Sequence, residues 1–124
     1  MARNYLKNSE QNTTCRLIVF SPAAKDDIDH IIDFYIIEIG YKKAAARFLQ
    51  LIKEKIDLIS DYPFLGRRLN QYGIDVCIRM IIADQYAIIY QISDESIKVL
   101  RILDTRSNYL EDLLTAGYML HERE

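Results

Sequence analysis

The side chains best suited to chemistry in this sequence are arginines in two of the three apolar segments of its second half. Arg79 lies in Ile78–Ile82, Arg101 lies in Ile97–Arg106, and Arg106 ends that last segment. A guanidinium group binds phosphate or carboxylate through forked N–H donors. An arginine in an apolar strand needs a reason, because its charge must stay solvated or paired. These arginines are therefore the first candidates for a functional site, and pairing with a carboxylate inside the fold is the alternative for each.

The segments that carry these arginines have the length and composition of β-strands. Ile78–Ile82, Tyr86–Ile92 and Ile97–Arg106 are separated only by short polar connections. Short connections force neighbouring strands to run antiparallel, so the pattern predicts a three-stranded meander. The strands are apolar on both parities, and alternation therefore does not assign a sheet face to Arg79 or Arg101. Tyr86 and Tyr90 are interpreted as core residues whose hydroxyl groups reach water.

Two helices must come before the meander. Ser21 is a good N-cap and Pro22 a good first residue for a helix that ends at Gly40, and the second helix ends at Asp61 before Tyr62-Pro63. The apolar residues of the first helix recur at three- and four-residue spacing: Ile28, Ile31, Ile32, Tyr35, Ile36 and Ile39. The apolar residues of the second helix recur at the same spacing: Ala45, Phe48, Leu49, Ile52, Ile56 and Ile59.

These elements predict a two-layer α+β domain with the order β-α-α-β-β-β. Cys15–Phe20 is the N-terminal strand, and an antiparallel helical hairpin packs on a mostly antiparallel four-stranded sheet. A short C-terminal helix begins after Asn108, with Glu111 in capping-box relation. We predict a flexible leader over 1–14, a domain over 15–115 and a tail over 116–124. The sheet face that the helices leave open is the expected binding surface.

Composition narrows the possible functions. The net charge of −2 disfavours broad binding to a nucleic-acid backbone, and no apolar run is long enough to cross a membrane. We expect a cytoplasmic protein that needs no cofactor. Cys15 and Cys77 are expected to be buried thiols. His30 and His121 stand far apart without cysteine companions, so no metal site is predicted.

Taken together, the segments resemble the RelE/ParE superfamily of bacterial toxins over residues 17–114. No single motif decides this; their order and spacing do. The five motifs are Phe20–Ile28, Tyr62–Arg67, Ile78–Met80, Tyr86–Tyr90 and Ile97–Arg106. Tyr62–Arg67 matches the family's Pro-x-x-Gly-Arg loop.

The resemblance implies a toxin that a cognate antitoxin holds inactive, in a toxin–antitoxin hetero-oligomer. Phe34 and Ile37 widen the apolar face of the first helix beyond one core contact, which suits an antitoxin-binding surface. The alternative is that both side chains pack under the leader or under the C-terminal helix.

The superfamily offers two targets. RelE-like members cleave messenger RNA in the ribosomal A site, and the resemblance makes Arg79, Arg101, Arg106 and Tyr109 the catalytic candidates. Many relatives carry a histidine where this chain has Asp104, and a carboxylate there would repel phosphate.

ParE-like members inhibit DNA gyrase by binding it, which requires a complementary surface and no acid–base chemistry. This branch is favoured here, with Arg67, Arg68, Arg79 and Arg106 as the target-binding residues. A module member that binds an antitoxin and poisons nothing is a further alternative.

Overall fold

The computed structural model describes residues 16–69, 74, 77–108 and 111. No helix within these ranges is both long enough and apolar enough to span a membrane. The elements are β1 (Leu17–Phe20), α1 (Pro22–Asp33), a π-helical segment (Phe34–Ile39), α2 (Lys42–Asp61), a 3₁₀ turn (Pro63–Leu65), β2 (Arg67–Arg68), β3 (Ile78–Ala83), β4 (Tyr86–Ile92) and β5 (Ser96–Asp104).

The predicted α+β class and the meander are both confirmed. The strand order is β1-β5-β4-β3-β2, with β3, β4 and β5 antiparallel and β1 parallel to β5. The sheet has five strands rather than four because Arg67 and Arg68 pair with Met80 and Arg79. Asp84 has a positive φ of 62°, which the tight turn between β3 and β4 requires and which aspartate tolerates.

Helix α1 begins as predicted. The Ser21 Oγ accepts a hydrogen bond from the Ala24 backbone N–H at 3.0 Å and donates to the Leu100 carbonyl oxygen at 2.8 Å. Pro22 occupies the first turn. One N-cap side chain therefore both starts the helix and attaches it to β5.

The end of the first helix differs from the prediction. Ile36 and Ile39 were expected in the core, but both are exposed, as are Phe34 and Ile37. The chain is π-helical over 34–39, and a wider turn shifts the helical phase, so the three- and four-residue spacing no longer keeps one face toward the sheet. Apolar residues consequently surround the end of this helix.

The principal core lies between the helices and the sheet. Of the predicted stripe of α2, Phe48, Ile52, Ile56 and Ile59 belong to this core, Ala45 is buried, and Leu49 is exposed. Residues of α1 and the sheet complete this core, among them Ile31, Tyr35, Ile88 and Tyr90. The prediction of a helical hairpin over one sheet face is thus confirmed.

The opposite sheet face carries a second apolar core. Ile78, Met80, Ala87 and Ile89 pack there with residues such as Leu69 and Ile74, which are fully buried. This sheet face was expected to be an open binding surface, but these residues of it are buried.

Other expectations fall at the ends of the chain. The leader, Cys15, Tyr109 and the tail lie outside the described residues. The extent of the C-terminal helix lies outside them too, although Glu111 is helical and accepts a hydrogen bond from the Asn108 amide at 2.9 Å.

Cys77 is exposed, so the expectation that it is buried was wrong. It lies in a turn before β3 rather than within the strand.

Candidate functional site

The predicted site residues divide between the two ends of β4. Arg79 is paired in register with Tyr90 near one end, whereas Asp104 is paired with Tyr86 at the other. Arg67 and Arg68 belong to the Tyr90 end, and Arg106 follows Asp104. The structure therefore forms two separate candidate sites.

At the first end, the Tyr90 hydroxyl group holds the loop after α2. The ring is fully buried, and the hydroxyl donates to the Pro63 carbonyl oxygen at 2.8 Å while it accepts from the Gly66 backbone N–H at 2.9 Å. Burial raises the pKa of this phenol. The expectation of a hydrated Tyr90 hydroxyl was wrong, because backbone groups of the Pro-x-x-Gly-Arg loop saturate it.

Gly66 is required in this loop by space and not by its backbone angles. A Cβ atom at Gly66 would collide with the Tyr90 hydroxyl and would lie 2.8 Å from the Met80 carbonyl oxygen. The φ of −69° is available to any residue. The glycine therefore lets the loop approach β3 and β4 closely enough to reach Tyr90.

Arg79 also holds this loop, through hydrogen bonds to its backbone. Its Nη1 donates to the carbonyl oxygens of Phe64 at 3.1 Å and of Gly66 at 2.7 Å, and its Cζ lies 5.2 Å from the centroid of the exposed Phe64 ring. Because Tyr90 belongs to the helix-side core, its register partner Arg79 lies on the same face. Arg79 is thus absent from the far face of the sheet.

Arg67 and Arg68 form the edge strand β2, and both are exposed. Arg68 is the register partner of Arg79. The structure therefore brings together three of the four arginines predicted to bind the target.

Arg101 forms a structural ion pair, which was the alternative considered from the sequence. Its Nε and Nη2 donate to the two carboxylate oxygens of Asp27 at 2.8 and 2.9 Å. Asp27 also accepts from the Ile102 backbone N–H, on the part of β5 that extends beyond its pairing with β1. This bidentate pair links α1 to β5 where the strand has no neighbour in that direction within the described sheet.

Arg106 is held by Asp104 at the other end of β4. Its Nε and Nη2 donate to Asp104 Oδ1 and Oδ2 at 2.9 and 2.6 Å, although the arginine side chain is exposed. The hydrogen bonds from Arg106 lower the pKa of Asp104 to about 2. Asp104 is therefore fully ionised at neutral pH, and its acceptor oxygens face the arginine.

A pocket of about 310 Å³ lies beside this pair, between α1 and the end of the sheet. It brings Arg106 together with Phe34, which sequence analysis had assigned to a different role. Both carboxylates that hold arginines also belong to its lining. The residues that matter for its chemistry are Asp27, His30, Phe34, Tyr86, Asp104 and Arg106.

The Tyr86 hydroxyl group is poorly suited to proton transfer. It is 2.7 Å from the Tyr35 hydroxyl group, and burial raises its pKa, as does that hydrogen bond. A phenol with a raised pKa is neutral at physiological pH and binds its proton tightly.

Sequence reasoning missed three residues at these sites: Asp27, His30 and Phe64. Asp27 and His30 are on α1 and became neighbours of β5 only through packing. Phe64 carried a usable signal, since an aromatic residue within a Pro-x-x-Gly-Arg loop has no predicted element to bury it. No group of three histidine, cysteine, aspartate or glutamate side chains in the described ranges is placed to hold a metal ion.

Comparison with known proteins is consistent with this architecture. A solved structure described as the chromosomal ParDE TA system from P. aeruginosa has a chain with the same fold, with a TM-score of 0.54 and 18% sequence identity. The match covers 73% of this chain and 97% of that chain. No curated protein sequence matches this chain significantly.

The family comparison goes further than the fold. The family described as the ParE toxin of the type II toxin–antitoxin system parDE matches residues 18–109, which is well over half of the chain. The matched range contains both candidate sites and ends just beyond Arg106. This chain belongs to the ParE toxin family within the RelE/ParE superfamily.

Proposed function

We propose that this chain is the toxin of a type II toxin–antitoxin module and that it inhibits DNA gyrase by binding, without cleaving RNA. Membership of the ParE family supports the toxin assignment. The pairing of two arginines with carboxylates favours gyrase over RNA as the target.

The observation that carries the proposal is that two of the catalytic candidates are neutralised within the fold. Asp27 pairs with Arg101, and Asp104 pairs with Arg106. RNA cleavage requires cations that offset the growing charge on the phosphate, together with an acid and a base. Arg106, the arginine in the lining of the pocket, is balanced by Asp104, and Asp27 adds a second carboxylate, so a phosphate placed there would meet no excess of arginine charge.

Two of the polar groups that line this pocket are poor proton donors. Tyr86 binds its proton tightly for the reasons given above. Asp104 is ionised at neutral pH and cannot donate a proton. These features favour a binding surface over a nuclease centre.

Neutralisation by an antitoxin is supported by apolar surface at the tip of the helical hairpin. Ile37 is 70% exposed and Phe34 is 49% exposed, with Ile39 and Tyr41 exposed next to them. An exposed cluster of this kind is characteristic of a protein interface, and an amphipathic segment of a partner would cover it. We therefore assign Phe34 and Ile37 to antitoxin binding.

Target contacts are assigned to Arg67, Arg68 and Arg79. Arg106 is a further candidate at the other end of β4, and it would have to exchange its bonds with Asp104 for bonds with the target.

The test compares the two targets directly. Purified protein should inhibit supercoiling by DNA gyrase, and induced expression should halt growth with a DNA-damage response while translation continues. Rapid loss of translation with cuts in the ribosomal A site would instead establish an mRNA endonuclease. Induction without any growth defect would indicate an inactive module member that binds only its antitoxin.

A further inference from the structure

Three arginines at the Tyr90 end of the sheet have no carboxylate partner among the described residues. Arg16 and Arg79 donate to backbone carbonyl oxygens, and the Arg68 side chain is exposed without a salt bridge in that part of the chain. Arg101 and Arg106, in contrast, are each held by an aspartate. This end of the sheet therefore carries three arginines that no carboxylate of the described residues neutralises.

Two of these cations lie against an exposed aromatic ring. The Cζ atoms of Arg79 and Arg16 lie 5.2 and 6.0 Å from the centroid of the Phe64 ring, which is 62% exposed. Tyr62 and Leu65 are also more than half exposed beside it. Arginine and aromatic side chains are enriched where protein interfaces gain most of their binding energy.

The turn that presents these side chains is rigid. Two hydrogen bonds of the Tyr90 hydroxyl and two of the Arg79 guanidinium group fix its backbone from Pro63 to Gly66. Because the backbone that carries Phe64 is held in place before binding, little backbone entropy of this turn is lost when a partner binds.

We propose that the Phe64 surface, formed by Arg16, Tyr62, Phe64, Leu65, Arg68 and Arg79, binds an acidic protein segment that carries an apolar side chain. The acidic groups complement the unpaired arginines, and the apolar group packs on the exposed rings. This rests on the proposed function in that the segment would belong to the target protein. A nucleic acid is the less favoured occupant because the chain as a whole is acidic, with a net charge of −2.

The test uses the full chain and a fluorescein-labelled peptide of alternating glutamate and leucine, followed by anisotropy at low salt. We expect measurable binding, weakened about tenfold or more by Arg68→Glu and by Phe64→Ala. Lys43→Glu is the matched control, because it makes the same charge change at an exposed site on α2 and should leave affinity unchanged. Circular dichroism establishes that each variant is folded.

Two further probes make the result decisive. A peptide with glutamine in place of glutamate should bind about tenfold more weakly or worse. Absence of peptide binding, equal binding of the glutamine peptide, or tighter binding of a single-stranded RNA that depends on the same residues would overturn the proposal.

The gyrase assay is kept separate from the peptide assay. If the peptide binds as expected and supercoiling is unaffected by the wild-type protein, the surface is real and the proposed target is wrong. If the wild-type protein inhibits gyrase and Arg68→Glu inhibits equally well, gyrase is the target and the Phe64 surface is not its contact.

Discussion

At the scale of single residues, several polar side chains in this protein hold backbone segments together. Tyr90 joins a core strand to the loop after α2, and Asp27 joins α1 to β5. In both cases one side chain satisfies several backbone or charged groups that would otherwise be buried without partners. Residue-level predictions therefore concern stability first.

Replacing Tyr90 with phenylalanine should destabilise the fold by about 1–3 kcal/mol, because it leaves the Gly66 N–H and the Pro63 carbonyl without their partner. Urea unfolding followed by circular dichroism measures the change. Tyr41→Phe is the control, since Tyr41 is half exposed and should unfold as the wild type does. Equal stability of the two variants would mean that the loop does not depend on this hydroxyl.

Asp104→Asn should make the free energy of unfolding depend less on pH between about 4 and 2. The folded pKa of Asp104 is about 2, below the ordinary value of 3.8, so its contribution is complete above about pH 4 and disappears as the pH falls through 2. The variant should be less stable than wild type at pH 7 and close to it near pH 2. Urea midpoints at both pH values test this, with Asp29→Asn at an exposed site of α1 as the control.

At the scale of elements, the end of the first helix decides which apolar residues reach the surface. The π-helical segment shifts the phase of Phe34–Ile39, and Gly40 then ends the helix in the left-handed conformation with a φ of 74°. The two features together place apolar side chains at the hairpin tip. The element therefore combines a structural stop with a candidate interface.

Gly40→Ala should destabilise the protein by about 1–2 kcal/mol, because an L side chain is unfavourable at this φ. Nothing lies within 4 Å of a Cβ atom built there, so the cost is one of backbone conformation alone. Gly40→Asn should recover part of the loss, since asparagine visits this region more readily. Thermal unfolding compares the three proteins, and equal melting temperatures would contradict the helix stop.

Ile37→Glu should release the antitoxin from the toxin while it leaves the fold intact, because Ile37 is exposed and its change places a charge in an apolar interface. The measurement is co-purification with the product of the adjacent reading frame. Lys43→Glu serves as the control for added negative charge on the hairpin. Undiminished co-purification of the Ile37 variant would remove this surface from the antitoxin interface.

At the scale of the whole molecule, the sheet is the middle layer between two apolar cores. Ile88 faces the helices and Ile89 faces the opposite side, and both are fully buried. The sequence of each strand is apolar on both parities for this reason, as is usual when both sheet faces are covered. Among the described residues, this leaves the ends of the sheet and the hairpin tip as the surfaces that we propose for recognition.

Replacing Ile88 or Ile89 with alanine should lower the free energy of unfolding by about 2–5 kcal/mol. A comparable loss for Ile89→Ala and Ile88→Ala would establish that the second face is a true interior. Ile82→Ala is the control, because Ile82 is 43% exposed and should cost much less. A near-neutral Ile89→Ala in equilibrium unfolding would restore the open-face interpretation.

By itself the sequence determined the order β-α-α-β-β-β, the α+β class and the family, because periodicity, capping residues and short connections act between near neighbours along the chain. It did not predict the short edge strand β2. The sequence also named Arg67, Arg68, Arg79 and Arg106 as target-binding candidates, but only the structure separates Arg106 from the other three, at the opposite end of β4. It did not assign partners to the charges. Only the tertiary structure decided that Arg101 meets Asp27, because the two are far apart in sequence and packing of α1 on β5 brings them together. The π-helical turn and the second core were likewise decided by packing, which local patterns do not encode.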